Sequence, residues 1–196
     1  MGLISIFNLK NLIQEFGIKI FFETGTGMGQ GISHALNFDF KELYTIEIIE
    51  SIYLSCKEKY SNHENCHFIN DTSKNGIINF LPKIKQSDNI IFWLDAHFPG
   101  ADFGLDSYGG TTEKEKRIPL EDELRTINKL RDISKDVFII DDLRIYEDGP
   151  FESGNWSERK SLGDDNIDFI YEIFEKTHTI EKDFRNEGYI ICKPKK

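Results

Sequence analysis

Two short runs carry the residue types needed for hard-cation and proton chemistry. Asp95-Ala96-His97 follows the nearly all-apolar stretch from Asn89 to Leu94, and Asp141-Asp142 follows the all-apolar stretch from Val137 to Ile140. Apolar strands that stop abruptly at carboxylates place those carboxylates outside the carboxyl end of a sheet, where open α/β folds bind ligands. Oxygens from Asp95, Asp141 and Asp142 suit a hard divalent ion such as Mg²⁺ or Mn²⁺. His97 stands two residues from Asp95, on the same side if strand geometry continues. An imidazole with its pKa near neutrality can take a proton from an acceptor, and Asp95 is the rival base. Blander roles are also open. Asp95 could cap the next segment, and His97 could be a satisfied buried histidine. Adjacent strand residues point to opposite faces, so of Asp141 and Asp142 one could face a pocket while the other holds a loop.

A glycine-rich turn adds a second kind of chemistry. Ile18 to Phe22 reads as a strand, and Glu23-Thr24-Gly25-Thr26-Gly27-Met28-Gly29-Gln30-Gly31 follows it. Glycine tolerates positive φ and puts no Cβ between the backbone and a ligand. The dinucleotide spacing G-x-G-x-x-G fails here, because Gln30 stands where the third glycine belongs. Glu47 ends the second strand, 20 residues beyond Gly27. An acid in that place hydrogen-bonds ribose hydroxyls in nucleotide-binding sheets. Glu50 is a rival, but it better suits the first turn of the next helix.

The pattern Glu23-x-Gly25-x-Gly27-x-Gly29 resembles motif I of the class I S-adenosylmethionine (SAM) methyltransferases. The resemblance implies SAM as cofactor, with Glu23, Thr24, Gly25, Gly27, Gly29 and Glu47 around it. It further implies that Asp71, after the third strand, accepts from the adenine amino group; an N-cap for the next helix is the equal alternative. Asp-x-His after strand four with Asp-Asp after strand five is similar to the metal-dependent sugar O-methyltransferases of the macrocin and mycinamicin type. That similarity implies a divalent metal held by Asp95, Asp141 and Asp142, with His97 or Asp95 as base.

The elements that must position these residues alternate. Helices are expected over Asn8 to Phe16, Ile32 to Leu36, Glu50 to Tyr60, Asn75 to Ile84, Pro119 to Asp132 and Ile167 to Lys176, from the 3.6-residue spacing of apolar positions. Strands are expected over Ile18 to Phe22, Leu43 to Ile48, Cys66 to Ile69, Asn89 to Leu94 and Val137 to Ile140. Thr177 to Phe184 and Tyr189 to Lys193 alternate around Asn186-Glu187-Gly188, which signals a hairpin. The alternation predicts an α/β, Rossmann-like, doubly wound and mostly parallel sheet of about seven strands, closed by an antiparallel hairpin. One domain over residues 1–196 is the simplest reading. Two long segments, Phe98 to Arg117 and Tyr146 to Asp165, read as irregular. Each follows a strand that ends in acids, so both are expected to overhang the site as an acceptor lid.

Composition narrows the partners. The net charge is −10. The basic residues are scattered apart from the terminal Lys193-Pro194-Lys195-Lys196, so a nucleic-acid partner is not expected. The three cysteines have no metal-type spacing and are odd in number, which fits a reducing cytoplasm. No run approaches the ~20 apolar residues that cross a bilayer, and the N-terminus lacks the basic region of a signal peptide. A small-molecule or glycan acceptor is expected. The oligomeric state is not legible, and a chain of this kind can also serve as one domain of a larger glycan-modifying enzyme.

Three function classes therefore compete. The leading one is a metal-assisted SAM-dependent O-methyltransferase acting on a sugar or glycoconjugate hydroxyl. A metal-dependent glycosyltransferase using Asp95-x-His97 leaves the glycines without a role. A non-catalytic methyltransferase-like binding module needs neither the glycines nor the acids.

Overall fold

A computed structural model describes residues 2–196. Seven strands form one sheet in the order β3-β2-β1-β4-β5-β7-β6. These are β1 (Ile18–Thr24), β2 (Glu42–Glu47), β3 (Cys66–Asn70), β4 (Asn89–Leu94), β5 (Val137–Ile140), β6 (His178–Asp183) and β7 (Tyr189–Pro194). The first five are parallel. β7 runs antiparallel between β5 and β6, as the hairpin signal predicts. β1 and β4 are neighbours at the centre, with Glu23 beside Trp93 and Thr24 beside Leu94. Strand order reverses between β1 and β4, which opens a crevice at their carboxyl ends.

Central strands must be apolar on both faces, and these are. Phe21, Phe22, Ile91, Phe92, Phe138 and Ile139 are all fully buried. One face packs under α4 (Ser73–Phe80), α6 (Leu120–Leu130) and α8 (Asp168–Phe174) through Ile77, Leu124, Ile127, Phe169 and Phe174. The other packs under α1 (Leu9–Phe16) and α2 (Gln30–Ala35) through Leu9 and Ile32, with Tyr60 at the end of α3 (Glu50–Lys59) in the same cluster. Asn8 caps α1 by accepting from the Asn11 N–H, and Gly17 ends it in the left-handed conformation.

Several boundaries differ from the sequence expectation. α2 starts at Gln30, two residues early, because Gly29 at φ +75° serves as its N-cap. α4 ends at Phe80, and Leu81–Lys83 continue as a 3₁₀ turn around Pro82, which lacks the N–H that α-helix requires. The two long segments are not wholly irregular. The first contains a 3₁₀ turn at Ala101–Phe103 and α5 (Lys114–Arg117), and the second contains α7 (Arg159–Leu162). Among the described residues, no helix is long and apolar enough to cross a membrane.

Candidate active site

The glycine turn leaves β1 and is shaped by the protein around it. Gly25 has φ +80°, and a Cβ there would run into the Asp95 main-chain carbonyl. Gly29 has φ +75°, and a Cβ would lie 2.9 Å from Tyr60 and 3.2 Å from the Cys56 Sγ. The Cys56 thiol donates to the Gly27 carbonyl, and the Tyr60 hydroxyl donates to the Gly29 carbonyl. Helix α3 thus grips the turn from behind. The Gly27 N–H donates to Glu47 Oε2 at 3.0 Å, while Glu47 Oε1 accepts from the Ile49 N–H at 2.9 Å. A carboxylate has about four lone-pair directions, so these backbone donors leave room for a ligand hydroxyl. Burial pushes the Glu47 carboxyl upward, and the backbone donors oppose that shift.

A cleft runs from Gly25 and Gly27 past Glu47 and Asp71 to Asp95 and His97. Not every residue expected around the cofactor lies on it. Gly29 packs on α3. Glu23 is fully buried behind the turn, where Oε2 accepts from the Thr45 hydroxyl at 2.6 Å and Thr45 in turn meets Thr26. Burial foremost raises the Glu23 carboxyl well above the usual range, and the Thr45 bond opposes it. Glu23 instead lines a smaller recess with Gly2, Trp93 and Asp95. Thr24 is buried, with its hydroxyl beside the carboxyl of Glu123. The cap expected of Asp71 belongs to Thr72, whose side chain accepts from the Asn75 N–H. Asp71 accepts from the Thr72 N–H and the Asn75 amide, and it lies on the cleft.

At the far end four side chains converge. His97 Nε2 lies 3.2 Å from Asp95 Oδ1, 3.2 Å from Asp142 Oδ2 and 3.8 Å from Asp141 Oδ2. One ligand atom each from Asp95, His97 and Asp141 lies within 4.8 Å of the others. The expected alternation of Asp141 and Asp142 does not hold. Asp142 adopts φ +60°, which breaks the strand and turns both carboxylates toward His97. Arg144 holds Asp142 by donating to Oδ1 at 3.1 Å and reaches Glu187 at 3.5 Å. Asp141 is fully buried, and among the described residues neither of its oxygens has a hydrogen-bond partner beyond the ion-pair contact with His97; His97 Nε2 likewise has no hydrogen-bond partner among them.

These charges shift one another. Burial alone would depress His97, but Asp142, Asp141 and Asp95 outweigh it and raise the imidazole well above its ordinary value. Burial raises Asp141 and the nearby Asp95 charge adds to it, while His97 pulls it back. Burial raises Asp142 to about 6 against the same pull from His97. A buried carboxylate with two unsatisfied oxygens is costly unless a cation meets it. The residues therefore fit a divalent ion: hard oxygen donors, an imidazole and orphaned lone pairs directed at one point.

A buried acid beneath the site escaped the sequence reading. Glu123 on α6 is 1% exposed, and among the described residues its Oε1 has no hydrogen-bond partner within ordinary distance. Burial raises it to about 7, opposed by the hydroxyls of Ser73 and Thr24 and by His97. The signal was present: Glu123 stands three residues after Leu120 and four before Ile127, on the apolar face of the helix.

The first long segment roofs the cleft through Pro99, Gly100, Asp102 and Phe103. Phe103 reaches to within 3.2 Å of where a Gly27 Cβ would stand. Arg117 stitches the two segments together by donating to the Thr111 and Leu162 carbonyls, and Lys114 pairs with Asp164.

No protein-family model matches the chain, and no curated protein matches it in sequence. Solved structures do match in fold. A Staphylococcus aureus protein assigned as a caffeoyl-CoA O-methyltransferase superposes with TM-score 0.62 at 14% identity, over 100% of this chain and 85% of that one. An O-methyltransferase from Bacillus cereus, solved in complex with SAH, gives TM-score 0.61 at 12% identity over 95% and 79%. An rRNA methylase from Streptococcus thermophilus gives 0.54 at 13% identity over 95% and 97%. The chain has the fold of the SAM-dependent methyltransferases.

Proposed function

We propose that this protein is a SAM-dependent O-methyltransferase that methylates a hydroxyl of a sugar or glycoconjugate with the help of a divalent metal. The observation that carries this reading is the join between two half-sites. Gly25 and Asp95 face each other across the strand-order switch, so a cleft fit for a nucleoside leads straight into the Asp95–His97–Asp141–Asp142 group.

Gly25, Gly27, Glu47 and Asp71 would hold SAM, with Glu23, Thr24 and Gly29 supporting the turn from behind. Asp95, Asp141 and Asp142 would hold Mg²⁺ or Mn²⁺, with His97 within reach. SAM supplies an electrophilic methyl group, and a divalent ion supplies the charge that favours an ionised acceptor oxygen. The chain's own residues do the rest. His97 or Asp95 would take the acceptor proton. Arg144 holds Asp142 toward the site. The roof from Pro99 to Phe103 excludes water from the donor cleft.

Calorimetric titration with SAM, and separately with a nucleotide sugar, tests the reading when paired with a labelled-methyl transfer assay on a panel of glycosides. SAM binding with metal-stimulated transfer is expected. Binding of the nucleotide sugar in place of SAM would move the protein to the glycosyltransferases. SAM binding without turnover on any acceptor would favour a non-catalytic module.

A further inference from the structure

Beyond the donor cleft, the two long segments meet in three aromatic rings. Phe98 and Tyr108 come from the first and Trp156 from the second. Their centroids are 5.3 Å (Phe98–Tyr108), 5.0 Å (Phe98–Trp156) and 5.9 Å (Tyr108–Trp156) apart. The Phe98 ring lies 5.7 Å from that of His97, so the trio adjoins the group proposed to be catalytic. Phe98 is buried, whereas Tyr108 is 39% exposed and Trp156 is partly exposed. The Tyr108 hydroxyl donates to Asp102 Oδ1 at 2.9 Å, and Asp102 lines the cleft.

We propose that Tyr108, Trp156 and Asp102 form the acceptor subsite, and that it takes a neutral pyranose ring. This rests on the methyltransferase reading above and names the acceptor's chemistry and the residues that choose it. The ring geometry argues for a sugar over a flat aromatic acceptor. The interplanar angles are 79°, 65° and 61°, so no two rings form a parallel slot for a planar molecule. They leave exposed aromatic surface beside a carboxylate. The C–H face of a pyranose covers such a surface, and its equatorial hydroxyls reach sideways to an acceptor oxygen such as Asp102. Charge argues for a neutral ring over a phosphorylated or CoA-linked one. Beside burial, Asp102 and Asp142 both act on the Tyr108 hydroxyl, and Arg144 opposes them. Of the cations carried nearby, Lys114, Lys116, Arg144 and Arg159 are each paired with a carboxylate, and Arg117 is held by backbone carbonyls. A phosphate would meet repulsion with those cations already engaged.

The protein saturated with S-adenosylhomocysteine and Mg²⁺ is the material for the test. Methyl glycosides of glucose, galactose, mannose and rhamnose are titrated in, beside glucose 6-phosphate and caffeoyl-CoA as charged competitors. Binding is read from the indole N–H signals, since Trp93 is buried in the core and Trp156 lies at the subsite. At least one neutral glycoside should shift Trp156 and leave Trp93 in place. Tyr108→Ala should weaken that binding about tenfold, and Tyr108→Phe should keep it within about twofold. Asp102→Asn, which keeps all three rings, should also weaken it and serves if Tyr108→Ala does not fold. S-adenosylhomocysteine affinity should be unchanged in both Tyr108 variants. The subsite is refuted if S-adenosylhomocysteine binds but no neutral glycoside moves Trp156. It is equally refuted if a charged competitor binds there in preference, or if Tyr108→Ala and Asp102→Asn bind as the parent does. Failure of S-adenosylhomocysteine itself to bind would instead remove the methyltransferase reading underneath.

Discussion

The two ends of the cleft are built on opposite principles. At the glycine end, polar groups are already partnered within the chain: Glu47 takes two backbone N–H groups, Glu23 takes the Thr45 hydroxyl, and the Gly27 and Gly29 carbonyls receive Cys56 and Tyr60. At the acid end, Asp141 has two buried oxygens without a hydrogen-bond donor among the described residues, and His97 Nε2 stands among three carboxylates without a hydrogen bond there. Satisfied groups hold a shape, whereas unsatisfied buried groups carry a free-energy cost that a ligand can repay. The glycine end is thus a preformed seat, and the acid end awaits a charge.

Substitutions at the two ends should therefore fail in different ways. Asp141→Asn keeps the shape and removes the charge, so turnover should fall by about a thousandfold or more, while the SAM dissociation constant stays within about threefold. Steady-state kinetics beside calorimetry checks this, and retained turnover would break the contrast. Glu47→Gln should do the reverse. Loss of charge-assisted bonds costs about 1.5–3 kcal/mol, which is roughly ten- to a hundredfold in SAM affinity, with kcat at saturating SAM little altered.

Glu123 sharpens the comparison beneath the cleft floor. Its ordinary value of 4.5 is raised by burial to about 7 in the folded chain. The folded state holds the proton more tightly, so the stability it confers is complete below its unfolded pKa and is lost as pH rises through about 7. Glu123→Gln abolishes that dependence. Relative to the parent, its unfolding free energy should rise by about 2 kcal/mol between about pH 5.5 and about pH 8. Urea denaturation at the two pH values measures it, and a pH-independent difference would contradict the assigned shift. The smallest effect belongs to Gly29→Ala. The left-handed conformation costs a side chain about 1–2 kcal/mol, to which the overlap with Tyr60 adds. The midpoint of urea unfolding should drop, and an unchanged midpoint would show that α3 does not grip the turn.

The sheet was legible because burial on both faces leaves its mark in apolar runs: Asn89–Leu94 and Val137–Ile140 became the central strands that those runs predicted. The carboxylates were legible because each interrupts such a run. What lay hidden was set by single dihedrals and by contacts distant in sequence. Periodicity places Asp141 and Asp142 on opposite sides, and only the positive φ at Asp142 brings them together. Nothing local to Gly29 announces Tyr60, which lies 31 residues away. Gly2 packs on Asp141 and Trp93, both far along the chain. Glu123 could have been found on the apolar stripe of α6, where a carboxylate is out of place.

The most direct test is a crystal soaked with S-adenosylhomocysteine and Mn²⁺, read by anomalous scattering. The structure predicts the adenosyl group along Gly27, Glu47 and Asp71, and a manganese peak about 2–2.5 Å from oxygens of Asp95 and Asp141. A ligand seated elsewhere, with no manganese among the acids, would contradict it.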